Sequence, residues 1–396
     1  MQEKLIALAV TSLLSVPALA QSNVTLYGSI DYGYTSLSGS DRTHDDGAGN
    51  TVKYKSRNGI DSGITKSNRI GFKGTEDLGN GLKAVFVLEQ GLNGDHGPMW
   101  STSQARQTYA GLAGGFGTIA FGRQTTPQHN FTSAVDPFGK NGLGSSANVL
   151  MQDKRVNNLA AYISPNFGGF GFILGYTFHA GIGSSSVDEN LENNNDARLW
   201  VIAPSFTTDN LFVAANYHSA KIKNTHNHTF GTTGLSSPSV FNALDVYASY
   251  DFGLVKVGST FGRRTTKKGV ITGADRDSKL TQWMIGATFK VTPNDKILTS
   301  YNRAAENEVV DGEDKRRISQ WAIGYEHSLS KRTVLYSQFA MQSHNSAFRG
   351  DGANAGKFHT YSHDSNVGSV ACSNIGIGCS AALYRRGFTA GFRHDF

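Results

Sequence analysis

The sequence of 396 residues contains only two cysteines and eight prolines, and it has no long apolar run beyond its N-terminus. After residue 20, no stretch approaches the roughly 20 consecutive apolar residues that a membrane-spanning helix needs, which excludes a helical membrane protein. The hydrophobic content of 38% and the mean hydropathy of −0.32 agree with that exclusion. The formal net charge is +6, but the basic residues recur along the chain instead of gathering in one helix or tail. This distribution disfavours a nucleic-acid partner.

The first 20 residues have the features of an export signal. Lys4 provides a short basic start, Leu5–Leu14 is an apolar run, and Ala18–Ala20 is a small-residue A-x-A cleavage site. A buried helix of the fold is the alternative, but the position, the short length and the small-residue ending favour the signal peptide. We therefore expect residues 1–20 to be cleaved and residues 21–396 to form a single mature domain.

From residue 24 onward, apolar and polar residues alternate in short segments that are separated by clusters of Gly, Asn, Asp and Ser. This pattern predicts an all-β antiparallel fold, and the 46 Gly, 23 Phe and 15 Tyr suit short strands, tight turns and aromatic girdles. In the first segment, for example, Leu26, Ile30 and Tyr34 share one face. We predict sixteen strands, at about 24–37, 68–76, 82–90, 105–113, 118–123, 158–164, 170–179, 198–206, 211–223, 243–252, 255–265, 280–290, 296–307, 316–327, 333–343 and 384–396.

The connections between these segments alternate in length. Short turns near 79, 115, 167, 208, 253, 294 and 331 lie between long polar loops near 50, 97, 135, 187, 232, 271, 311 and 360. Outer-membrane barrels have short turns at one end and long loops at the other, whereas a soluble sandwich or propeller gives no reason for this alternation. The last segment places Phe388, Phe392 and Phe396 on one face, as expected of a strand that is paired on both sides and faces lipid. The sequence therefore predicts a transmembrane antiparallel β-barrel.

Three motifs make the resemblance to a known family specific. The segment SNRIGFKGTEDLGNGLKA at 67–84 resembles a signature of the general porins of β-proteobacteria and Neisseria. VTLYG at 24–28, FGRQ at 121–124 and the terminal Phe396 are also similar to that family, and the likeness extends over the whole mature chain.

The resemblance implies a homotrimeric, sixteen-stranded pore in the outer membrane of a Gram-negative bacterium, with loop 3 folded into the pore. Such a channel passes small hydrophilic solutes and ions by passive diffusion, with no reaction and no cofactor. Its partners would be outer-membrane lipid, lipopolysaccharide and the barrel-assembly machinery, for which Phe396 looks like the recognition signal.

The pore constriction is expected between the third long loop, Gln124 to Met151, and the facing wall. The loop carries Asp136, Lys140 and His129, and an outward surface loop is the alternative placement. On the wall, Ile70 and Phe72 are expected to face lipid, which turns their strand neighbours toward the lumen. The expected wall residues are Arg69, Lys73, Glu89, Arg106 and Arg155.

A ring of fixed cations at the constriction would attract anions and repel cations. Arg106 and Arg155 fall where the resembled family carries pore-lining arginines, and Glu89 and Asp136 are expected as the opposing charges. The alternative for each arginine is a plain ion pair in the lumen, with Glu89 as the partner. Arg155 can also lie in the loop, and for this residue the ion pair and the pore-lining role are equally open. The sequence thus predicts a pore for small anionic and neutral solutes.

Candidates for other chemistry are weaker. Cys372 and Cys379 favour a disulfide in the last external loop, because an exported chain meets an oxidising compartment, and zinc would need further ligands nearby. His226 and His228 lie in a polar loop without a third ligand, so we predict no metal site. The bases at 263, 264, 267, 268, 316 and 317 are candidates for contact with lipopolysaccharide phosphates, and loop solvation explains them equally well.

Two other functions remain open at this stage. A barrel enzyme would need a nucleophile and a base that converge at the barrel edge, and no motif offers them. A binding barrel or adhesin would have an occluded lumen, and the sequence alone does not separate this alternative from an open pore.

Overall fold

The computed structural model describes residues 23–38, 43–45, 51–53, 56–95, 97, 99–100, 105–139, 141–152, 155–178, 196–223, 239–269, 276–308, 315–345 and 385–396. The predicted signal peptide, residues 1–20, lies outside this part of the chain, as do Cys372 and Cys379. Among the described residues, no helix is both long enough and apolar enough to cross a membrane.

Almost all of the regular structure is β-strand. The strands are β1 (Asn23–Ser38), β2 (Thr43–Asp45), β3 (Thr51–Lys53), β4 (Arg57–Ser62), β5 (Arg69–Gly79), β6 (Leu82–Gly91), β7 (Gln107–Gly114), β8 (Gly117–Thr125), β9 (Arg155–Ile163), β10 (Phe170–Thr177), β11 (Asp196–Thr207), β12 (Leu211–Lys223), β13 (Ser239–Asp251), β14 (Val255–Gly269), β15 (Arg276–Lys290), β16 (Asp295–Glu308), β17 (Arg317–Ser328), β18 (Thr333–His344) and β19 (Arg386–Asp395). A helix, α1 (Pro127–Val135), and a 3-10 turn, Ser146–Asn148, interrupt the series between β8 and β9.

The sheet closes into a barrel. Each wall strand pairs antiparallel with its neighbours in the sequence, and β1 pairs antiparallel with β19 from Ser29 opposite Asp395 to Ser38 opposite Arg386. β4 and β5 pair with successive parts of β1, so they occupy one wall position, while β2 and β3 form a separate hairpin. The described wall therefore has sixteen strand positions, and the prediction of a closed sixteen-stranded barrel is confirmed.

The two faces of the wall have opposite chemistry. Large apolar side chains are exposed on the outside, for example Phe121 (61%), Ile285 (51%) and Ile323 (48%). Polar side chains such as Ser29 and Asn302 are buried on the inside. Lipid offers no hydrogen bonds, so the paired backbone and the apolar outer face suit a membrane and the polar inner face suits water. The outward placement of Ile70 and Phe72 and the inward placement of Arg69 follow this alternation.

The second wall position differs from the prediction of a single strand at 68–76. It is longer, and residues 63–68 leave the ladder as a short loop that is held by the buried carboxylate of Asp31. Asp31 Oδ2 accepts hydrogen bonds from the backbone N–H groups of Thr65 (2.7 Å) and Lys66 (2.8 Å), and Asp31 N–H donates to Asn68 Oδ1 (2.7 Å). This short loop is stable because a carboxylate from the neighbouring strand satisfies backbone donors that leave the ladder.

The predicted hairpin turn after β5 is confirmed. Gly79, Asn80 and Gly81 all have positive φ angles, of 86°, 52° and 75°. Glycine and asparagine tolerate this left-handed region with little strain, which explains why the tight connection to β6 contains them.

Phe396 completes the closure of the barrel. Its backbone exchanges two hydrogen bonds with Gly28 of β1, at 3.0 Å and 3.2 Å. Its ring covers Gly28 so closely that an added Cβ there would lie 2.2 Å from Phe396 Cζ. The last residue therefore seals the seam between β19 and β1.

We expect deletion of Phe396 to lower the amount of folded protein in the outer membrane several-fold while synthesis and export continue. The deletion removes both hydrogen bonds to Gly28 and exposes the seam. Immunoblots of outer-membrane fractions would measure the effect. Phe392→Ala is the matched control, because it removes an equally exposed aromatic (41% each) from the same strand without shortening the seam. Normal levels of the truncated chain would contradict this role.

Candidate functional site

Loop 3, the connection 126–154 between β8 and β9, leaves the wall early. β8 has 9 residues, whereas β14 and β15 have 15 each, which corresponds to about 30 Å against about 50 Å of strand. The Thr126 hydroxyl caps α1 by accepting from His129 N–H, and Pro127 occupies the first helical turn. The helix packs against β12, β13 and β14, and most of the described residues of the loop are buried. The predicted infolding of loop 3 is confirmed.

Glycines in the opposite wall make room for the loop. The carbonyl oxygen of Val135 lies against Gly258 of β14, where an added Cβ would be 2.0 Å away. At Gly286 of β15, an added Cβ would lie 2.7 Å from the ring of Pro137. Any larger residue at Gly258 would collide with backbone, so this wall is shaped to receive loop 3.

Glutamines on the same wall satisfy the backbone of the loop. Gln282 Oε1 accepts from Met151 N–H (2.8 Å), and Gln282 Nε2 donates to the Met151 carbonyl (3.1 Å). Gln320 Nε2 donates to the carbonyl of Ser145 (3.2 Å). Buried backbone groups need such partners, so a loop without a ladder of its own is stable inside the barrel.

A buried ion pair joins the two ends of loop 3. Arg264 Nη2 lies 2.9 Å from Asp245 Oδ1, and the side chains are 1% and 2% exposed. Arg264 Nη2 also donates to the carbonyl of Met151 (2.9 Å), and Asp245 Oδ2 accepts from Gln128 Nε2 (2.9 Å). We call these four residues the clasp, because they connect the start and the end of loop 3 to β13 and β14.

The clasp corrects the expectation that Arg264 contacts lipopolysaccharide. Its side chain points into the barrel and is covered by loop 3, whereas Arg263, its neighbour in β14, is exposed on the outer face. The alternation of β14 separates the two bases, and a cluster in sequence is therefore not a cluster in space.

Asp136 has a structural position in loop 3. Its carboxylate accepts from the backbone N–H groups of Phe138 (2.9 Å) and Ser146 (2.7 Å), and the side chain is buried. Burial raises the pKa of Asp136 to about 6, although these hydrogen bonds oppose the shift. Asp136 thus contacts the loop itself, and the structure does not bring it into the group of arginines that was predicted to face it.

Two of the predicted arginines, Arg69 and Arg106, contact one glutamate on the wall that loop 3 leaves open, and the charge of Arg155 acts on the same carboxylate. Arg69 is opposite Ser29, near the middle of β1, so the group lies at mid-height. Arg106 Nε donates to Glu89 Oε1 (2.8 Å), and Arg69 Nε lies 3.3 Å from Glu89 Oε2. Arg155 begins β9, which settles its placement in a strand, and its charge acts on the Glu89 carboxylate.

This geometry changes the expected role of Glu89. The carboxylate lies between Arg69 and Arg106 on the same wall, instead of opposing them from across the lumen. The ion pair with Glu89, which was the alternative role for these arginines, is therefore present for Arg69 and Arg106. Two arginines contact this one carboxylate and the charge of Arg155 also acts on it, which leaves an excess of positive charge. A role in ion selection stays a prediction.

Lys73 lies on the lumen side of β5, two alternations along the strand from Arg69. It is exposed, and its ammonium lies 5.5 Å from the centroid of the Tyr27 ring. The Tyr27 hydroxyl in turn donates to Glu89 Oε2 (3.2 Å). A lumen-facing residue that is exposed indicates a lumen open to water at this point.

Several other predicted residues do not join the site. His129 is buried in loop 3, with Nδ1 3.4 Å from Gln152 Oε1. Lys140, His226 and His228 lie outside the described residues. In the described part of the chain, no three His, Cys, Asp or Glu side chains are grouped as a metal site. Sequence reasoning missed Asp245, whose lumen-facing position beside Arg264 was the available signal.

Comparisons with known proteins agree with this architecture. A family model described as Gram-negative porin matches residues 6–347. Outer membrane porin protein 32 of Delftia acidovorans is 29% identical over 405 residues, which covers 100% of both chains. Among solved structures, an anion-selective porin from Comamonas acidovorans has a TM-score of 0.69 at 24% identity, with 95% of this chain and 100% of that chain covered. The trimer form of OmpT from Vibrio cholerae has a TM-score of 0.63 at 16% identity, covering 95% and 99%.

Proposed function

Because this chain belongs to the Gram-negative porin family, we propose that its outer-membrane channel prefers anions among the small hydrophilic solutes that diffuse through it. The observation that carries the proposal is the group of Arg69, Arg106 and Arg155 around the single carboxylate of Glu89. Fixed cations at a narrow point lower the energy of a passing anion and raise that of a cation. The similarity to an anion-selective porin points the same way.

The position of the arginines strengthens their effect. They lie at mid-height, where loop 3 occupies the opposite side of the lumen, so a solute has to pass close to them. Charges act more strongly in a confined, partly desolvated passage than in bulk water. On the loop side, Asp136 is buried and hydrogen-bonded, so it presents little negative charge to a passing ion.

Conductance of the purified protein in planar bilayers tests for an open pore. We expect stepwise insertions whose conductance rises with salt concentration, because the exposed lumen beside Lys73 is open to water. A barrel with an occluded lumen, as in the adhesin alternative, would give no steps. The same preparation reports ion preference through the reversal potential in a salt gradient.

We further propose that the channel is a homotrimer. The outer face carries exposed aromatic and aliphatic side chains that can pack barrel against barrel, including Trp200, Trp321 and Phe261. A structural neighbour is known in a trimer form. We expect an unheated sample in SDS to migrate as a trimer and a boiled sample as a monomer, and we expect conductance steps in groups of three. Identical mobility of both samples would contradict the trimer.

A further inference from the structure

One part of the open wall is apolar although it faces the lumen. Lys73, Val87 and Tyr109 are consecutive partners across β5, β6 and β7. Directly paired residues point to the same face of a sheet and lie about 5 Å apart. Val85, two residues before Val87, shares this face, and Tyr27 reaches the same row from β1. We call these five residues the tyrosine patch.

The Tyr27 ring of the tyrosine patch is held in place by the wall. The Tyr27 ring covers Gly71, where an added Cβ would lie 2.6 Å from Tyr27 Cζ. The Tyr27 hydroxyl donates a hydrogen bond to Glu89, which fixes the ring next to the arginines that contact the same carboxylate. Tyr27, Val85, Val87 and Tyr109 are each half-buried, so part of their apolar surface remains in contact with the lumen.

Lys73 gives the tyrosine patch a cation of its own. Arg69 and Arg106 both contact the Glu89 carboxylate, whereas the Lys73 ammonium contacts the Tyr27 ring and, among the described residues, forms no ion pair. Its charge is therefore available to a solute that has passed the arginines.

We propose that the tyrosine patch is a weak binding site for aromatic carboxylates in transit. The carboxylate of the solute pairs with Lys73, and its ring packs on Tyr27, Tyr109 and the two valines. An aromatic ring gains edge or stacking contacts with tyrosine that an aliphatic chain of similar charge does not. A site that adds ring contacts to one exposed cation binds weakly enough for the solute to leave, which conduction requires. The inference rests on the proposed anion preference and narrows the solute class.

The test compares benzoate with acetate as blockers of the chloride current through the channel in planar bilayers at neutral pH. We expect benzoate to halve the current at a concentration about five- to tenfold lower than acetate, because its ring contacts the tyrosines and also buries apolar surface against Val85 and Val87. Benzyl alcohol, which has the ring but no charge, is expected to leave the current unchanged.

Two sets of variants locate the effect. Val85→Thr with Val87→Thr keeps the shape and the strand preference of both residues but adds hydroxyl groups, and it is expected to reduce the benzoate advantage to about twofold or less. Lys73→Gln is expected to weaken block by both anions. The matched control is Val246→Thr, the same substitution at an outward position that is 45% exposed.

Two results would overturn the proposal that the tyrosine patch binds aromatic carboxylates. One is equal blocking by benzoate and acetate in the wild-type channel, and the other is an unchanged benzoate advantage in the double threonine variant. The ratio of the two blocking concentrations is measured independently of the reversal potential. An anion-preferring channel without a benzoate advantage would contradict this site alone. A channel without anion preference would contradict the proposed function.

Discussion

Replacing Arg69 and Arg106 together by glutamate is expected to reverse the ion preference of the channel from anions to cations. The change converts two fixed cations beside Glu89 into two further carboxylates at mid-height in the lumen. Because charges in a confined passage interact strongly with passing ions, this local change should outweigh the positive net charge of the whole chain. The reversal potential in a KCl gradient measures the effect.

The controls separate local charge from total charge. Arg263→Glu makes the same change at an exposed position on the outer face, and we expect it to leave the reversal potential close to the wild-type value. Arg69→Gln with Arg106→Gln removes the cations without crowding three carboxylates, and it should abolish the preference without reversing it. An unchanged preference in both double variants would show that other charges control permeation.

Arg264→Leu is expected to free loop 3 from the wall. The substitution leaves the carboxylate of Asp245 buried without its cation, and breaking a buried ion pair in this way costs about 3–5 kcal/mol. The strands around it keep their backbone ladder, so the barrel should still form. We expect the single-channel current to show several conductance levels and rapid fluctuations, because the end of the loop loses the hydrogen bond from Arg264 to Met151. Its start keeps only the hydrogen bond from Gln128 to an Asp245 carboxylate that has lost its cation.

A compensating variant tests whether the clasp itself is the cause. Asp245→Asn combined with Arg264→Gln removes both charges but keeps groups that can hydrogen-bond to Gln128 and Met151. This variant should largely restore the steady, single-level current of the wild-type channel. Lys290→Gln breaks the exposed pair with Asp251, in which the side chains are 42% and 29% exposed. Such solvent-exposed pairs contribute little to stability, so this control should behave as wild type. A quiet, single-level current in Arg264→Leu would contradict the clasp.

The barrel could be predicted from the sequence because each wall strand repeats one simple signal. Lipid on one side and water on the other enforce the alternation, so strand number, hairpin turns and the outward Ile70 and Phe72 followed from it. Strand ends were less predictable at the long loops. β15 begins at Arg276 instead of 280, since pairing continues where the alternation stops.

Contacts between residues that are far apart in the sequence could not be predicted from the alternation of apolar and polar residues. The interruption at 63–68 depends on Asp31, and the buried position of Arg264 depends on a loop more than a hundred residues earlier. In the same way, the arginines were identifiable as lumen residues, but their sharing of Glu89 on one wall was not. Asp136 was identifiable as an acid in loop 3, whereas its burial against Ser146 follows only from the folded loop.

The most direct test of the account is the zero-current potential of the wild-type channel in a tenfold KCl gradient, first at low and then at high total salt. The arginine group predicts a potential with the sign of chloride permeation. It also predicts that the potential shrinks as salt rises, since the screening length falls from about 10 Å at 0.1 M to about 3 Å at 1 M. A potential with the sign of potassium permeation, or one near zero at low salt, would contradict the claim that these arginines select anions.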